Sequence, residues 1–227
     1  MNNVDNNITK VDYIFCLPGK NFSSNFLKSW TSSITSLMKK PVSWTFLNHY
    51  SPVVSFTRNE MIRFNFKSKE RDFTNFEPFE NKVEAKKIIF IDDDMVWSYE
   101  DLEKILKSKK DIVSGFYKKD DLNSYNGHEL CAQVKNKWLT ETDIKDKKEL
   151  IELDGVGFGF IAINFEVFKK LPFPWFESLF IFDQENKEMY GIGEDVYFCE
   201  NAKLHGYKIY GDPTIKLGHE KTKILGF

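Results

Sequence analysis

Apolar and polar positions along the chain switch between two periods, and each switch marks an element. Val11 to Leu17 (V-D-Y-I-F-C-L) is an apolar run stopped by Pro18-Gly19 and reads as a strand. Phe22, Phe26, Trp30, Ile34 and Leu37 or Met38 then recur at near-helical spacing, which predicts an amphipathic helix. Pro41 breaks it, and Val42 to Leu47 reads as a second strand, so the chain opens β-α-β. Ile88 to Ile91 is short and wholly apolar, the pattern of a central strand covered on both faces. Tyr99, Leu102, Ile105 and Leu106 line one face of a helix that starts at a Ser98/Asp101 capping box and ends in the basic run Lys107 to Lys110. Asp111 to Phe116 is the next strand. The expected class is α/β, with a mostly parallel, Rossmann-like central sheet flanked by helices in one domain over 1–227.

The remaining stretches are less regular. Thr57-Arg58-Asn59-Glu60 fits a capping box and predicts a helix starting at Thr57 and running through Met61, Ile62 and Phe66. Phe73 to Lys87 has no clear period and reads as connection. Tyr117 to Glu152, rich in Lys, Asp and Asn, reads as an inserted hairpin or loop region (117–152) over the sheet rim. Leu153 to Ile163 joins a Gly-rich turn to a buried strand; its G-x-G-x-G spacing, followed by a strand, is not a dinucleotide fingerprint. Asn164 can cap a short helix ended by Pro172 and Pro174. Ser178 to Ile192 reads as a mobile lid. Gly193-Glu194-Asp195 opens a helix that runs to His205 with Gly206 as its stop. Tyr207 to Tyr210 is a last short strand, and Gly211-Asp212-Pro213 turns the chain toward Ile215 to His219.

Composition narrows the partners. With 227 residues, 41% hydrophobic, 29% charged and a net charge of -2, the chain is an ordinary globular one with no basic excess for holding nucleic acid. Met1 to Lys10 is polar, and no apolar run approaches a membrane-spanning length. Cys16, Cys131 and Cys199 are odd in number and lack C-x-x-C spacing, which argues against a disulfide framework or a zinc site and fits a reducing cytoplasm.

The chemistry gathers at I-I-F-I-D-D-D, Ile88 to Asp94, where a buried strand runs into three carboxylates. Carboxylates so close repel one another unless a cation sits among them, and Mg2+ or Mn2+ takes oxygen ligands shared with substrate phosphates. An acidic turn before a helix is the plainer explanation. A second acid pair, Glu194-Asp195, and His219 complete the set: a metal on Asp94 and His219 could hold a diphosphate while a separate carboxylate accepts a proton from an attacking hydroxyl. Taken alone, Glu194-Asp195 is explained by N-terminal capping and the helix dipole. Arg58, in the first turn of its expected helix, opposes the dipole and calls for an anion, either a diphosphate, Glu60 or a cluster carboxylate. His49, His128 and His205 have no supporting pattern.

T-R-N-E (57 to 60), F-I-D-D-D-M (90 to 95), D-I-V-S-G-F-Y (111 to 117), D-G-V-G-F-G-F (154 to 160), L-P-F-P-W-F (171 to 176), G-E-D-V-Y-F-C (193 to 199) and G-Y-K-I-Y-G-D-P…G-H (206 to 219) together resemble the glycosyltransferase family 2-like proteins of the GT-A fold, especially small single-domain members of phages and large viruses. The resemblance implies a cytoplasmic enzyme that transfers a sugar from a nucleotide-sugar, a UDP- or GDP-sugar, to a glycan, lipid-linked, protein or other hydroxyl acceptor, with Mn2+ or Mg2+ as cofactor and inversion at the sugar carbon. It implies a D-x-D metal motif with Asp92, Asp94 and His219 as the metal set, Asp92 also addressing the donor ribose or sugar, Asp94 coordinating the ion directly, and Asp93 open to either role. Asp195, in preference to Glu194, becomes the base. Asp154, Gly155 and Gly157 would line the donor sugar, and Arg58 would lie near the diphosphate.

Two other readings compete. I-I-F-I-D-D-D-M-V also fits haloacid-dehalogenase-like phosphohydrolases, with Asp92 as nucleophile, Asp94 as acid/base and Ser114 in a second motif. A domain that binds sugar-nucleotides or glycans without turnover is the other, with Phe173, Trp175 and Phe176 as an aromatic wall.

Overall fold

A computed structural model describes residues 8–66, 69–119, 129–135, 137–184 and 187–221. In chain order the elements are β1 (Thr9–Pro18), α1 (Ser24–Leu37), β2 (Trp44–His49), α2 (Val54–Arg63), a 3-10 turn (Pro78–Asn81), β3 (Val83–Ile91), β4 (Met95–Val96), α3 (Tyr99–Lys107) and β5 (Ile112–Phe116). There follow β6 (Glu129–Val134), β7 (Lys137–Thr140), α4 (Glu141–Ile144), β8 (Ile151–Leu153), β9 (Gly155–Val156), β10 (Phe160–Asn164) and α5 (Phe165–Lys170). The chain closes with β11 (Leu179–Asp183), β12 (Glu188–Ile192), α6 (Glu194–Leu204), β13 (Ile209–Lys216) and β14 (Gly218–His219).

The central sheet has seven strands in the order β2-β1-β3-β10-β5-β13-β8. β2, β1, β3, β5 and β13 share one direction, while β10 runs antiparallel between β3 and β5, and β8 antiparallel at the edge. The α/β expectation therefore holds, with a mixed sheet.

Alternation along the central strands splits the core. Phe15, Leu17, Ile89 and Ile91 face α1 and α3, packing on Phe26, Leu37, Leu102 and Ile105. Their neighbours Ile14, Cys16, Ile88 and Phe90 face the other way, onto Met61 and Ile62 of α2, Phe168 of α5 and Phe198 of α6. With both faces covered, β3 is apolar at every position from Ile88 to Ile91, as a buried parallel strand must be. Beyond this apolar run polar side chains resume at its carboxyl end.

Four local expectations need correction. α2 begins at Val54, not Thr57, because the Thr57 hydroxyl accepts the Ser51 N–H instead of capping a helix, and no side chain caps the Val53 terminus. Arg58 thus sits in the second turn. β3 begins at Val83, inside the stretch read as connection; its amino-terminal half pairs with β1 from Thr9 onward, and that pairing partner is not local in sequence. The turn expected at Gly211-Asp212-Pro213 is strand: β13 runs through it, with a register shift between Gly211 and Lys216 that accommodates a proline lacking an N–H. Phe173, Trp175 and Phe176 form no sugar wall. Trp175 and Phe176 are buried, and the Trp175 indole N–H donates to the Phe168 and Leu171 carbonyls.

Within 117–152 lie the β6–β7 hairpin, α4 and the start of edge strand β8. Ser178 to Ile192 carries the β11–β12 hairpin, whose Phe180 and Met189 are exposed. Among the described residues no helix is long and apolar enough to cross a membrane. His128 lies outside the described residues.

One buried charge gives the sheet a pH signature. Lys87 on β3 donates to the Ile105 and Ser108 carbonyls, 3.1 and 2.6 Å away, at the end of α3, where helix carbonyls lack partners. Burial pushes its pKa down to about 8 against the pull of Asp111. The folded protein therefore binds fewer protons than the unfolded chain between about pH 8 and the ordinary lysine value of 10.5, and this group makes stability rise with pH across that window. Urea midpoints measured from pH 7 to 10.5 should show the wild type gaining stability relative to Lys87→Met as pH increases.

Candidate active site

The acidic run leaves the sheet immediately after Ile91, and backbone contacts fix its path. The Asp92 N–H donates to the Gly159 carbonyl at 3.0 Å, and Met95 N–H to the Asp92 carbonyl at 3.2 Å, so the three aspartates form a tight turn between β3 and β4. Their side chains diverge to different partners.

Asp92 turns inward. Its two oxygens take a forked contact from one terminal nitrogen of Arg58, at 2.7 and 3.0 Å, while the other terminal nitrogen of Arg58 pairs with Glu194 at the start of α6. Arg58 is 3% exposed, and its guanidinium lies 5.4 Å from the Phe158 ring centre and 6.0 Å from that of Phe90. The anion that Arg58 requires is thus a pair of carboxylates, including the cluster acid considered from the sequence. Its Nε is buried without a hydrogen-bond partner among the described residues. Burial drives the Asp92 pKa up to about 6, with Arg58 pulling the other way.

Asp93 points toward the loop after β1, where it accepts the Lys20 and Asn21 N–H groups; burial and neighbouring Asp94 raise its pKa. Gly19 makes room for it, since a Cβ there would lie 2.4 Å from the Asp93 Cβ. The Pro18-Gly19 pair read as a strand stop is therefore also a site feature, and only the folded chain shows the side chain it accommodates. A cleft of about 220 Å³ opens here between Pro18-Gly19, Tyr50-Ser51 and the three aspartates.

Asp94 faces His219, which reaches the site because β14 pairs with β4. The Asp94 Oδ2 to His219 Nε2 distance is 3.2 Å. His219 Nδ1 lies 2.6 Å from the Lys118 carbonyl, which can only accept, so Nδ1 carries a proton. Nε2 then meets the carboxylate either as a second N–H of a charged imidazolium or as a lone pair that needs a cation between the two groups. Lys221 donates to the same Asp94 oxygen at 2.7 Å. Burial opposes ionisation of Asp94, but hydrogen bonds from His219 and Lys221 outweigh it and hold the pKa at about 2.

Asp195 is the remaining acid. Its Oδ1 accepts the Val196 N–H at 2.7 Å, and burial followed by the charge of Glu194 raises its pKa. The structure therefore separates the acid pair: Glu194 is tied to Arg58, and Asp195 to the Val196 N–H.

The Gly-rich segment packs against a buried tyrosine. A Cβ at Gly157 would lie 2.3 Å from the Tyr117 hydroxyl and one at Gly159 2.8 Å from it, while that hydroxyl accepts the Gly159 N–H at 2.9 Å. The glycines make space for a buried tyrosine, whose ring meets His219 edge-on at 5.1 Å. Gly155 pairs with Gln133 in a small sheet. Asp154 accepts the Lys135 N–H and pairs with Lys203 at 3.4 Å. Tyr117 and Lys221 are absent from the residues singled out in the sequence. Alternate small residues opposite an unassigned aromatic were the available signal for Tyr117; Lys221 had none.

Two solved structures share this architecture. A197 from STIV matches with a TM-score of 0.51 at 18% identity, covering 95% of this chain and 97% of its own. GalNAc-T7 with UDP, GalNAc and Mn2+ matches with a TM-score of 0.51 at 13% identity over 92% of this chain, which spans 44% of that protein. The inositol-1-phosphate CTP transferase from T. maritima aligns more loosely, with a TM-score of 0.43 at 12% identity over 93% of this chain and 90% of that one. No family's sequence profile and no curated protein sequence matches the chain. The fold is GT-A-like: an α/β domain with a mostly parallel sheet and its acidic strand end at one edge of the cleft.

Arg58→Ala would leave Asp92 and Glu194 facing each other without their cation. Removing one partner of a buried ionic group typically costs about 3–5 kcal/mol, and the partial exposure of Asp92 points to the lower end. Urea unfolding should show a loss of about 3 kcal/mol, with Arg58→Lys recovering part of it.

Proposed function

We propose that the protein is a metal-dependent glycosyltransferase that moves a sugar from a nucleotide-sugar donor to an acceptor hydroxyl with inversion. The observation that carries this reading is the Asp94–His219 pair. A histidine that commits Nδ1 to a backbone carbonyl and aims Nε2 at a carboxylate has the outer-shell arrangement of a metal ligand. Their 3.2 Å separation is close to the roughly 3.0 Å expected between adjacent octahedral ligands with bonds of about 2.1 Å. Among the described residues no cluster of three metal-ligating side chains occurs, so an ion on Asp94 and His219 would take its remaining ligands from donor phosphates or water. The bound Mn2+ of GalNAc-T7 agrees with that choice.

Asp94 and His219 would hold the ion. When bound, it supplies positive charge that stabilises the departing nucleoside diphosphate. Asp92, oriented by Arg58, and Asp93, at the wall of the 220 Å³ cleft, would receive the donor's sugar or ribose hydroxyls. Asp195 is the base: burial and the charge of Glu194 raise its pKa, which makes its carboxylate a better proton acceptor than an ordinary aspartate. It takes the acceptor's hydroxyl proton as that oxygen bonds to the sugar carbon and the carbon–oxygen bond to the diphosphate breaks.

The phosphohydrolase alternative finds less support. Both oxygens of Asp92 are engaged by Arg58, and Ser114 is fully buried, its hydroxyl donating to the Phe160 carbonyl at 2.9 Å. Ser114 is not presented to a phosphate, and Asp92 would have to give up its Arg58 contacts to attack one.

A thermal-shift panel of UDP-, GDP-, CDP- and dTDP-sugars with and without Mn2+ tests the reading. At a concentration 100 times its Kd, the correct donor should stabilise the protein by about 2.7 kcal/mol, only with metal, and Asp94→Asn should abolish the effect. Stabilisation by phosphate with Mg2+ alone would sink the proposal. For the base, Asp195→Asn should lower transfer by about 10²–10⁴-fold. Wild-type kcat should rise with pH along an acid limb lying above the usual aspartate value of about 3.9, because the carboxylate must be ionised to accept the proton.

A further inference from the structure

We infer that Lys221 is an internal cation that competes with the divalent ion for Asp94 and so sets the metal affinity of the site. The inference rests on the Asp94–His219 metal reading and goes beyond it, since it assigns a role to a residue outside every motif in the chain.

Lys221 donates to Asp94 Oδ2 at 2.7 Å, and His219 Nε2 approaches that same oxygen at 3.2 Å. The contact is built by the backbone. β14 pairs with β4, placing Gly218 opposite Val96 and His219 opposite Met95. The Glu220 N–H then donates to the Asp94 carbonyl at 2.8 Å. The Glu220 carboxylate accepts the Ser23 hydroxyl at 2.5 Å and the Asn25 side-chain amide at 3.3 Å, tying this strand end to the start of α1. Lys221 follows directly from a clipped residue, so its ammonium is delivered to Asp94.

An ion on Asp94 Oδ2 would stand about 2.1 Å from that oxygen. An ammonium at 2.7 Å from the same atom places two positive groups within a few ångströms, where like charges repel strongly at the reduced dielectric of a half-buried site. Metal entry therefore requires Lys221 to leave Asp94. The donor's diphosphate offers the displaced ammonium an anion, so ion and donor bind best together.

Isothermal titration of the full chain with Mn2+ alone tests this, comparing wild type with Lys221→Met and Lys221→Arg. Lys221→Met should bind Mn2+ at least tenfold more tightly, and Lys221→Arg, which keeps the charge, should stay within about threefold of wild type. A Kd for Lys221→Met within twofold of wild type overturns the competition while leaving the metal site standing. Absence of Mn2+ binding in all three proteins overturns the metal site and the competition with it. Melting temperatures without metal confirm that the variants are folded, and Asp94→Asn supplies the titration blank.

Discussion

Asp92, Asp93, Asp94, Glu194 and Asp195 converge on one end of a sheet, and their mutual repulsion is the constraint the rest of the site answers. Each is met differently. Arg58, enclosed by Phe90 and Phe158, binds Asp92 and Glu194 together; backbone N–H groups hold Asp93; His219 and Lys221 hold Asp94. Asp195 accepts the Val196 N–H at its Oδ1 and feels the opposed charges of Glu194 and Arg58. One electrostatic problem, solved unequally, yields chemically distinct acids.

Arg58 also joins two parts of the chain. Asp92 follows the central strand and Glu194 begins α6, and the guanidinium between them ties the acidic strand end to the start of that helix. Asn59, next in sequence, adds a second tie: its side chain donates to the Phe176 carbonyl and accepts the Trp175 and Phe176 N–H groups. α2 thus braces the segment leading to the β11–β12 hairpin and α6. On the far side, the β14–β4 pairing and the Glu220 contacts carry the chain's last described residues back to the acidic turn. The cleft is closed around a fixed set of charges, which is why the effect of removing any one of them depends on its partners more than on its own type.

Much of this was legible before the fold was known. The α/β class followed from period and order alone, and the apolar run before Asp92 predicted a buried central strand ending in acids. The Ser98 capping box is formed as expected, because its partner Asp101 is three residues away. Failures fall where a distant residue took a local group: Ser51 claimed the Thr57 hydroxyl, and β1 recruited Val83 to Lys87.

Sequence by itself determined the element types of the periodic segments, the strand that carries the aspartates, and the residue types able to do chemistry, since burial, repulsion and short-range capping act on near neighbours. Only the tertiary structure decided what each acid faces. Asp92 and Arg58 stand 34 positions apart, Asp94 and His219 far more, and ionic contacts between such residues are set by strand order and helix packing. The roles of three adjacent aspartates diverge because one strand end meets a buried arginine, a loop of free N–H groups and a returning chain end, and no local pattern encodes which aspartate meets which.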